Sequence, residues 1–252
     1  MLPGATEPQN LFAVRFFWLK IDSLIVIASY LLGSVPFGYI TGKMHGMDIR
    51  QHGSGNIGAT NVMRVLGKKP GYSVFAFDLL KGLAAVLLAK YIANHYWMSF
   101  TQSSEINHVI RHVTYPHLSL PEPVAAISAA VACILGHNFP VWLGFKGGKG
   151  MATSGGVVIG MIWPVAAASM AVWAVVFLTT RYVSVASLAA AVALPSSTML
   201  FLLLGLIHGW PYFYFTLAAC LLAVWRHRSN ITRLMNGTEP RFEKKPKPEP
   251  QS

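Results

Sequence analysis

The chain has 252 residues, of which 54% are hydrophobic and only 12% are charged, and its mean hydropathy is +0.48. A soluble domain needs a larger charged surface, so this composition excludes a soluble globular protein and indicates a membrane protein. The net charge of +11 does not indicate nucleic-acid binding, because the basic residues cluster at the ends of apolar stretches, as topology signals do.

Six apolar stretches of the sequence predict helices that cross the membrane. A helix needs about 17 to 25 apolar residues to cross the hydrocarbon core. The predicted spans lie at about 19–41, 72–93, 123–143, 165–180, 183–207 and 210–226.

A seventh, shorter helix is predicted from the distribution of charge. Lys and Arg cluster after the first, third and last spans, and such clusters remain in the cytoplasm. A turn at Trp163-Pro164, preceded by a short helix at about 153–161, places all three clusters on that side. We therefore predict an all-α polytopic membrane protein with seven transmembrane helices, one of them short, the amino terminus outside and the carboxyl terminus cytoplasmic. Arg15 and Lys20 oppose this orientation.

Three segments flank or interrupt the predicted membrane domain at 19–242. Residues 1–18 form an amino-terminal extension, and residues 243–252, rich in lysine, proline and glutamate, are predicted to be a disordered tail. Residues 94–122 are predicted to form an outside loop. Its histidines have no carboxylate partners at metal-ligand spacing, so we interpret it as a solvated loop.

The two cysteines of the chain do not indicate redox or zinc chemistry. Cys133 and Cys220 both lie inside apolar segments, without a Cys-x-x-Cys pair or a neighbouring set of ligands. We interpret them as small buried residues.

The loop after the first span is rich in glycine and in hydrogen-bond donors. It reads GSGNIGATNVMR from Gly53 to Arg64. Closely spaced glycines let backbone N–H groups approach an anion, and a guanidinium such as that of Arg64 binds phosphate as a bidentate fork. The Gly-x-Gly-x-x-Gly within it is not a dinucleotide fingerprint, because a transmembrane helix precedes it instead of a strand. The loop therefore predicts a phosphate site.

The loop after the third span carries Gly147-Gly148-Lys149-Gly150 ahead of a predicted helix start. This arrangement predicts a second anion-binding loop with a cation beside it. Lys149 is followed by glycine and not by Ser or Thr, so the loop is not a Walker A motif and nucleotide hydrolysis is disfavoured.

The segment after the last span, from His227 to Glu239, is by itself a basic membrane-proximal segment.

Taken together, these three segments resemble the motifs of a known family. GSGNIGATN at 53–61, KGGKGMAT at 146–153 and the His-Arg-x-Asn-Ile-x-Arg-Leu pattern from His227 resemble, in order, the motifs of the PlsY-type acyl-phosphate:glycerol-3-phosphate acyltransferases. GSVPFG at 33–38 and Asp78-x-x-Lys81-Gly82 are similar as well. The resemblance covers roughly residues 19–242.

The resemblance implies an acyltransferase of phospholipid synthesis. Such an enzyme moves a fatty acyl group from acyl phosphate to the 1-hydroxyl of glycerol 3-phosphate, giving lysophosphatidate and inorganic phosphate. It implies a seven-helix protein of the bacterial inner membrane with its site on the cytoplasmic face, in contact with membrane lipid. No metal, cofactor or nucleic acid is expected, and the sequence carries no signal for an oligomeric state.

The match of motif positions also implies the site residues. Ser54, Arg64 and Lys149 are the implied catalytic residues. The implied substrate-binding residues are Gly53, Gly55, Asn56, Thr60, Asn61, Gly147, Gly148, Gly150, Thr153, His227 and Asn230.

The sequence does not identify the group that accepts the proton of the glycerol hydroxyl. A substrate phosphate is one candidate, and Ser54 is assigned to phosphate binding because no acidic residue is placed to orient a base beside it. The side-chain candidates are Asp48, Asp78, Glu239, His137 and His227.

A transporter of phosphorylated metabolites is the alternative functional class, because it also needs basic anion sites among membrane helices. Transporter sites are expected near the middle of the membrane, whereas the three segments are predicted at one face, and no inverted repeat is evident. An acyltransferase of the His-x-x-x-x-Asp type is excluded, because none of the nine histidines has Asp five positions later.

Overall fold

The described part of the chain is helical. The structure, a computed structural model, describes residues 7–101 and 121–242, and within these ranges it contains no strand. This confirms the all-α prediction. In chain order the helices are α1 (Glu7–Ser34), α2 (Phe37–Met44), α3 (Ala59–Leu66), α4 (Lys68–Thr101), α5 (Pro121–Asn138), α6 (Met151–Thr180), α7 (Val183–Leu203), α8 (Trp210–Arg226) and α9 (Arg228–Met235).

Some predicted segments lie outside the described residues. These are the tail at 243–252, most of the outside loop and the first part of the amino-terminal extension. Helix α1 begins at Glu7, within the predicted extension, and α4 continues to Thr101, within the predicted outside loop.

Five segments of the described chain are long and apolar enough to cross a membrane, judged by length and composition. Helix α8 coincides with the sixth predicted span, but its 17 residues lie at the lower limit of about 17 for crossing. The count of seven therefore stays a prediction. The five segments are Lys20–Met44, Lys68–His95, Pro123–Leu143, Met151–Thr180 and Val183–Leu203.

The first predicted span is two helices rather than one. Helix α1 ends at Ser34 and α2 begins at Phe37. Pro36 lies between them, and proline lacks a backbone N–H and disfavours helical geometry in the residue before it. The third predicted span likewise ends early, at Asn138, because Pro140 follows. The break at Pro140 leads into the second glycine-rich loop, and α2 lies between the break at Pro36 and the first.

Helix α6 is interrupted next to Trp163-Pro164, as the sequence predicts. Ile162 has φ −144° and ψ 73°, which is not helical. Proline at 164 cannot donate to the preceding turn, so the helical hydrogen-bond ladder is broken there. The reversal of chain direction at this break stays a prediction. The chain divides into two compact units at the same place, residues 1–161 and residues 162–252.

Small residues bring the helices of the first unit close together. An ideal Cβ on Gly33 of α1 would lie 2.1 Å from the carbonyl oxygen of Cys133 on α5. A Cβ on Gly136 would lie 2.2 Å from the carbonyl oxygen of Tyr30. Lipid-embedded helices associate through such close backbone approach, because lipid removes the hydrophobic driving force between them. Helices α1, α4 and α5 thus form a packed group.

Helix α4 crosses the first half of α6 equally closely. A Cβ on Gly156 would lie 1.9 Å from the carbonyl oxygen of Leu79, whereas a Cβ on Gly155 would meet nothing within 4 Å. We therefore expect Gly156→Ala to lower the free energy of unfolding by about 1–3 kcal/mol, the range for overpacking a tight contact.

Gly155→Ala is the matched control for this prediction. It makes the same chemical change one residue away in the same helix, and it should leave stability unchanged or slightly higher, because alanine favours helix. Thermal unfolding of both purified variants in detergent measures the difference. Equal melting temperatures would show that the α4–α6 crossing is looser than described.

The second unit packs α7 against α8. The two helices bury small and polar side chains, including Ser187 and Thr216. The chain after α9 returns to the end of α6, where the N–H of Phe242 donates to the carbonyl oxygen of Arg181 at 3.0 Å. Cys133 in the first unit and Cys220 in the second are both buried free thiols.

Candidate active site

A small hydrophobic core supports the first glycine-rich loop. Ile49, Ile57, Val62 and Val74 are each 3% exposed or less and pack together beneath it. Helix α2 lies directly on the loop backbone, since a Cβ on Gly38 would overlap the carbonyl oxygen of Ile57. The loop is therefore held on a fixed base.

The side chain of Asn61 organises the backbone of this loop. It is 2% exposed, and its Nδ2 donates to the carbonyl oxygens of Ile49 at 3.3 Å, His52 at 3.0 Å and Asn56 at 2.8 Å. Its Oδ1 accepts the N–H of Ser54 at 2.7 Å. One amide therefore fixes four backbone groups, so Asn61 shapes the loop from within.

This arrangement places the predicted residues of the first motif around one loop. Gly53 and Gly55 have φ of 61° and 70°, a left-handed conformation that favours glycine. Ser54 is exposed at the turn between them. Arg64 lies one turn after Asn61 on α3 and is half-buried.

The second glycine-rich loop folds back onto the end of α5. The N–H of Gly147 donates to the carbonyl oxygen of Asn138 at 3.2 Å, and that of Gly148 donates to the carbonyl oxygen of His137 at 3.1 Å. A Cβ on Gly148 would lie 2.1 Å from Nε2 of His137. Glycine is thus required at 148 by packing, and these two N–H groups bond within the protein.

The same loop carries Lys149 to the start of α6. Lys149 is half-buried, whereas Lys146 is exposed. Gly150 has φ of 78°, and α6 begins at the next residue. The first N–H groups of a helix have no acceptor within the helix, and its amino-terminal end attracts negative charge. Lys149 therefore stands beside a helix start that can accept an anion.

A shared core joins the two loops within the first unit. Leu143, which precedes the second loop, packs against the cluster formed by Ile49, Ile57, Val62 and Val74 beneath the first loop. The hydroxyl of Tyr30 on α1 donates to the carbonyl oxygen of Phe139 at 2.8 Å. The two motifs, about 90 residues apart in the sequence, are thus positioned by one packed structure.

A buried ionic cluster lies at the end of α5, beneath the second loop. Nζ of Lys81 lies 2.8 Å from Oδ1 of Asp78 and 3.0 Å from Nδ1 of His137. All three side chains are 5% exposed or less. Both Asp78 and His137 were candidate proton acceptors in the sequence, and the structure pairs them with Lys81 instead.

The third motif, in the second unit, is built around Glu239. Its carboxylate accepts from Nδ2 of Asn230 at 2.7 Å and from Nε of Arg233 at 2.8 Å. Nδ1 of His227 donates to the carbonyl oxygen of Ala223 at 2.8 Å, so the lone pair of the neutral ring is on Nε2. Both His227 and Asn230 are buried.

Comparison with known proteins agrees with the three motifs. The family model for glycerol-3-phosphate acyltransferase matches residues 23–237. The chain is 44% identical over 230 residues to a glycerol-3-phosphate acyltransferase of Nostoc sp., covering 91% of this chain and 95% of that protein. It is 40% identical over 223 residues to one of Thermosynechococcus vestitus, covering 88% and 95%.

The chain belongs to the glycerol-3-phosphate acyltransferase family. A solved structure agrees: PlsY, an integral membrane glycerol 3-phosphate acyltransferase in its glycerol 3-phosphate form, matches with a TM-score of 0.70 at 37% identity, over 88% of this chain and 96% of that one. The lysophosphatidic acid form of the same enzyme matches with a TM-score of 0.68. The predicted family is confirmed, and the protein is a multi-pass membrane protein.

Two of the three acyltransferase motifs lie within the first unit. The first and second motifs are supported there by one core and include all three predicted catalytic residues, while His227 and Asn230 belong to the second unit. The structure adds Lys81 beneath the second motif, and sequence analysis did not assign it a role. A lysine and an aspartate three residues apart in an apolar span are the signal that could have found it, because charges inside membrane helices mark functional positions.

Glu239 of the acyltransferase predicts a defined pH dependence of stability. Burial raises the pKa of its carboxyl, but hydrogen bonds from Asn230 and Arg233 outweigh burial and leave the pKa below its ordinary value of 4.5. A depressed folded pKa stabilises the protein fully above the ordinary value, and this stabilisation is lost as pH falls through the folded pKa.

We therefore expect Glu239→Gln to be less stable than the unmodified protein by about 1.5–3 kcal/mol at pH 7, the range for a hydrogen bond to a charged group. The difference in melting temperature should stay constant down to about pH 4.5 and shrink at lower pH. Thermal unfolding in detergent between pH 7 and 3 measures it. A difference that grows on acidification would contradict the assigned role.

Proposed function

We propose that the protein transfers a fatty acyl group from acyl phosphate to the 1-hydroxyl of glycerol 3-phosphate, forming lysophosphatidate and inorganic phosphate. The observation that supports this best is the common core beneath two glycine-rich loops, each carrying a cation, Arg64 or Lys149. Both substrates contain a phosphoryl group, and the acyl chain of one is compatible with lipid. A membrane protein with two adjoining basic loops suits that pair of substrates.

The proposed reaction depends mainly on aligning the two substrates and stabilising the negative charge that develops, and less on activating the acyl donor. The hydroxyl oxygen of glycerol 3-phosphate attacks the carbonyl carbon of acyl phosphate, and the carbon–oxygen bond to phosphate breaks as phosphate leaves. Acyl phosphate is a mixed anhydride with a good leaving group, so orientation and stabilisation of the developing negative charge supply most of the rate. We assign Lys149 and Arg64 to that charge, and Ser54 to phosphate binding.

The structure narrows the candidates for the proton acceptor. Hydrogen bonds from Arg50 lower the pKa of Asp48 to about 2, so Asp48 is a weak base. The carboxylate of Glu239 is held by Asn230 and Arg233, and Asp78 and His137 are paired with Lys81. His227 and a substrate phosphate stay candidates for the proton acceptor.

We propose that the reaction requires neither a metal ion nor a cofactor. Among the described residues, no group of three His, Cys, Asp or Glu side chains is placed to hold a metal ion. We assign the remaining motif residues, among them Asn230 of the second unit and Thr153 of the first, to substrate binding by their match to the family motifs.

A reconstituted assay separates the proposed enzyme from the alternative transporter. Purified protein in detergent is given glycerol 3-phosphate and acyl phosphate, and release of phosphate and formation of lysophosphatidate are followed together, with and without a chelator. We expect both products in equal amounts and the same rate with chelator. Uptake of glycerol 3-phosphate into vesicles without acyl transfer would instead favour the transporter.

The proposed topology has seven crossings in the inner membrane, with the amino terminus outside and both glycine-rich loops cytoplasmic. Basic residues after the first, third and last spans support it, since such residues remain on the cytoplasmic side. The break in helical geometry at Ile162 lies where this orientation needs an additional turn.

Cysteine labelling tests this topology. We expect a cysteine introduced within 147–153 to react from the cytoplasmic side and one within 208–211 to react from the outside, in a background lacking the buried Cys133 and Cys220. Sealed vesicles of both orientations and a membrane-impermeant maleimide measure the difference. Labelling of positions 147 and 227 from opposite faces would exclude the seven-span arrangement.

A further inference from the structure

The ammonium group of Lys81 is enclosed, with two hydrogen-bond partners and one ion-pair partner. Its side chain is 2% exposed in a helix otherwise apolar enough to cross a membrane. Nζ lies 2.8 Å from Oδ1 of Asp78, 3.0 Å from Nδ1 of His137 and 2.9 Å from the carbonyl oxygen of Val35. An ammonium can only donate, and its three close polar partners come from three segments of the chain.

This contact determines which ring nitrogen of His137 carries the proton. An ammonium can only donate, so Nδ1 of His137 is the acceptor and the ring proton is on Nε2. The carboxylate of Asp78 lies farther from the same nitrogen, at 3.5 Å. A second positive charge on the ring would also be repelled by the adjacent ammonium. Lys81 therefore holds Nδ1 of His137 as a hydrogen-bond acceptor, with the Nε2 edge of the ring directed toward Gly148.

The opposite edge of the ring supports the second glycine-rich loop. Nε2 would lie 2.1 Å from a Cβ at Gly148, so the ring is packed on the backbone of that residue. The carbonyl oxygen of His137 accepts the N–H of Gly148 at 3.1 Å. Both the ring and the backbone of His137 thus hold the residue that immediately precedes Lys149.

The third acceptor connects the same ammonium to the other loop. Val35 lies at the break between α1 and α2, and α2 rests on the first loop through Gly38, which contacts the carbonyl oxygen of Ile57. One buried cation thus joins the supports of both loops. A buried ion pair is a poor source of stability, because desolvation offsets much of its Coulomb attraction, so a positioning role explains the cluster better than stability alone.

We propose that Lys81 is a positioning residue which, through His137, sets the position of Lys149 for the phosphoryl group of the substrate. Lys81 does not contact the reacting atoms in this proposal. It fixes the tautomer and orientation of His137, and His137 fixes Gly148. The inference rests on the proposed function, in which Lys149 stabilises negative charge during acyl transfer.

A double-mutant cycle tests whether Lys81 acts through Lys149. Lys81→Met removes the ammonium but keeps the length of the side chain, and we expect it to lower turnover by about 30-fold or more, since a small misplacement of a catalytic group can cost about 10²-fold. In the Lys149→Ala background the same change should lower turnover less than about 3-fold, because residues acting as a unit are not additive. An equal loss in both backgrounds would overturn the proposal, since a purely structural role does not depend on Lys149.

Lys90→Met is the matched control, because it makes the same change on the same helix, outside the cluster. We expect it to retain turnover within about 3-fold and to behave alike in both backgrounds. If Lys81→Met does not fold, His137→Gln replaces it in the cycle with the same expected outcomes, because that variant removes both the Nδ1 acceptor and the ring against Gly148.

The tautomer is measured independently of activity. Protein labelled with ¹⁵N-histidine, with the His137 signals assigned by their loss in His137→Gln, should show a protonated Nε2 and an unprotonated Nδ1 at pH 7. A protonated Nδ1, in either the neutral or the charged ring, would overturn the proposal. Wild-type protein without transferase activity would instead reject the proposed function, and the tautomer would still be measurable.

Discussion

Replacing Lys149 with alanine is expected to lower turnover by about 10² to 10³ fold, the range for losing one electrostatic donor to a transition state. Lys149 lies at the start of α6 on a loop bonded to His137, and in the proposed mechanism its ammonium faces a phosphoryl group whose charge grows as the reaction proceeds. Acyl transfer by purified protein at saturating substrate measures the effect.

The fold should survive this substitution. Lys149 is half-buried on a loop and is not part of the helix packing, so melting temperature should change little. Lys146→Ala is the matched control, because Lys146 is an exposed lysine on the same loop, and it should retain most of the activity. Lys149→Arg should recover only part, because the planar guanidinium is larger than an ammonium. A folded Lys149→Ala protein with normal turnover would remove this residue from the mechanism.

Replacing Asn61 with alanine is expected to disrupt the first loop and abolish most activity. Three carbonyl oxygens and one N–H would lose their partner. A buried polar group left unpaired costs about 1–3 kcal/mol, so we expect a loss of stability of about 3 kcal/mol or more. Because the loop holds Ser54 and precedes Arg64, turnover should fall by about 10²-fold, the scale for misplaced catalytic groups.

Asn61→Asp tests whether the loop needs the hydrogen bonds of the Asn61 amide or only the size of its side chain. It keeps the size of the side chain but turns the donating nitrogen into an oxygen that faces three carbonyl oxygens, so it should be as damaging as alanine. Gln51→Ala, which removes an exposed amide nearby, serves as the control and should leave turnover and melting temperature unchanged. Wild-type turnover in Asn61→Asp would show that the amide does not organise the loop.

The helix breaks show what can be predicted from the local sequence and what depends on the folded structure. Pro36, Pro140 and Pro164 mark interruptions, because proline removes a backbone donor wherever it occurs. The predicted span at 19–41 is confirmed as a candidate membrane span, but it is interrupted at Pro36, where apolar residues continue on both sides and hydropathy does not detect the break. The break near Pro164 is confirmed, whereas the direction of the chain after it stays a prediction.

In the glycine-rich loops, too, the local pattern does not reveal what the glycines contact. Glycine spacing predicted anion binding at both, but the N–H groups of Gly147 and Gly148 donate to α5, and glycine at 148 is needed for contact with His137. A run of glycines is compatible with an anion and with a close protein neighbour, and only the packed structure distinguishes them. The predicted substrate-binding role of Asn61 stays a prediction, and the structure adds that its side chain bonds four backbone groups.

Hydropathy and short motifs are local properties of the chain, so they were enough to predict the membrane environment, the helical class and the family. The common core of the first two motifs, which includes Leu143, and the ionic cluster of Lys81, Asp78 and His137 become visible only when the helices are packed. Lys81 and His137 are separated by 56 positions, and contacts across such distances depend on how the helices pack, which no local pattern encodes.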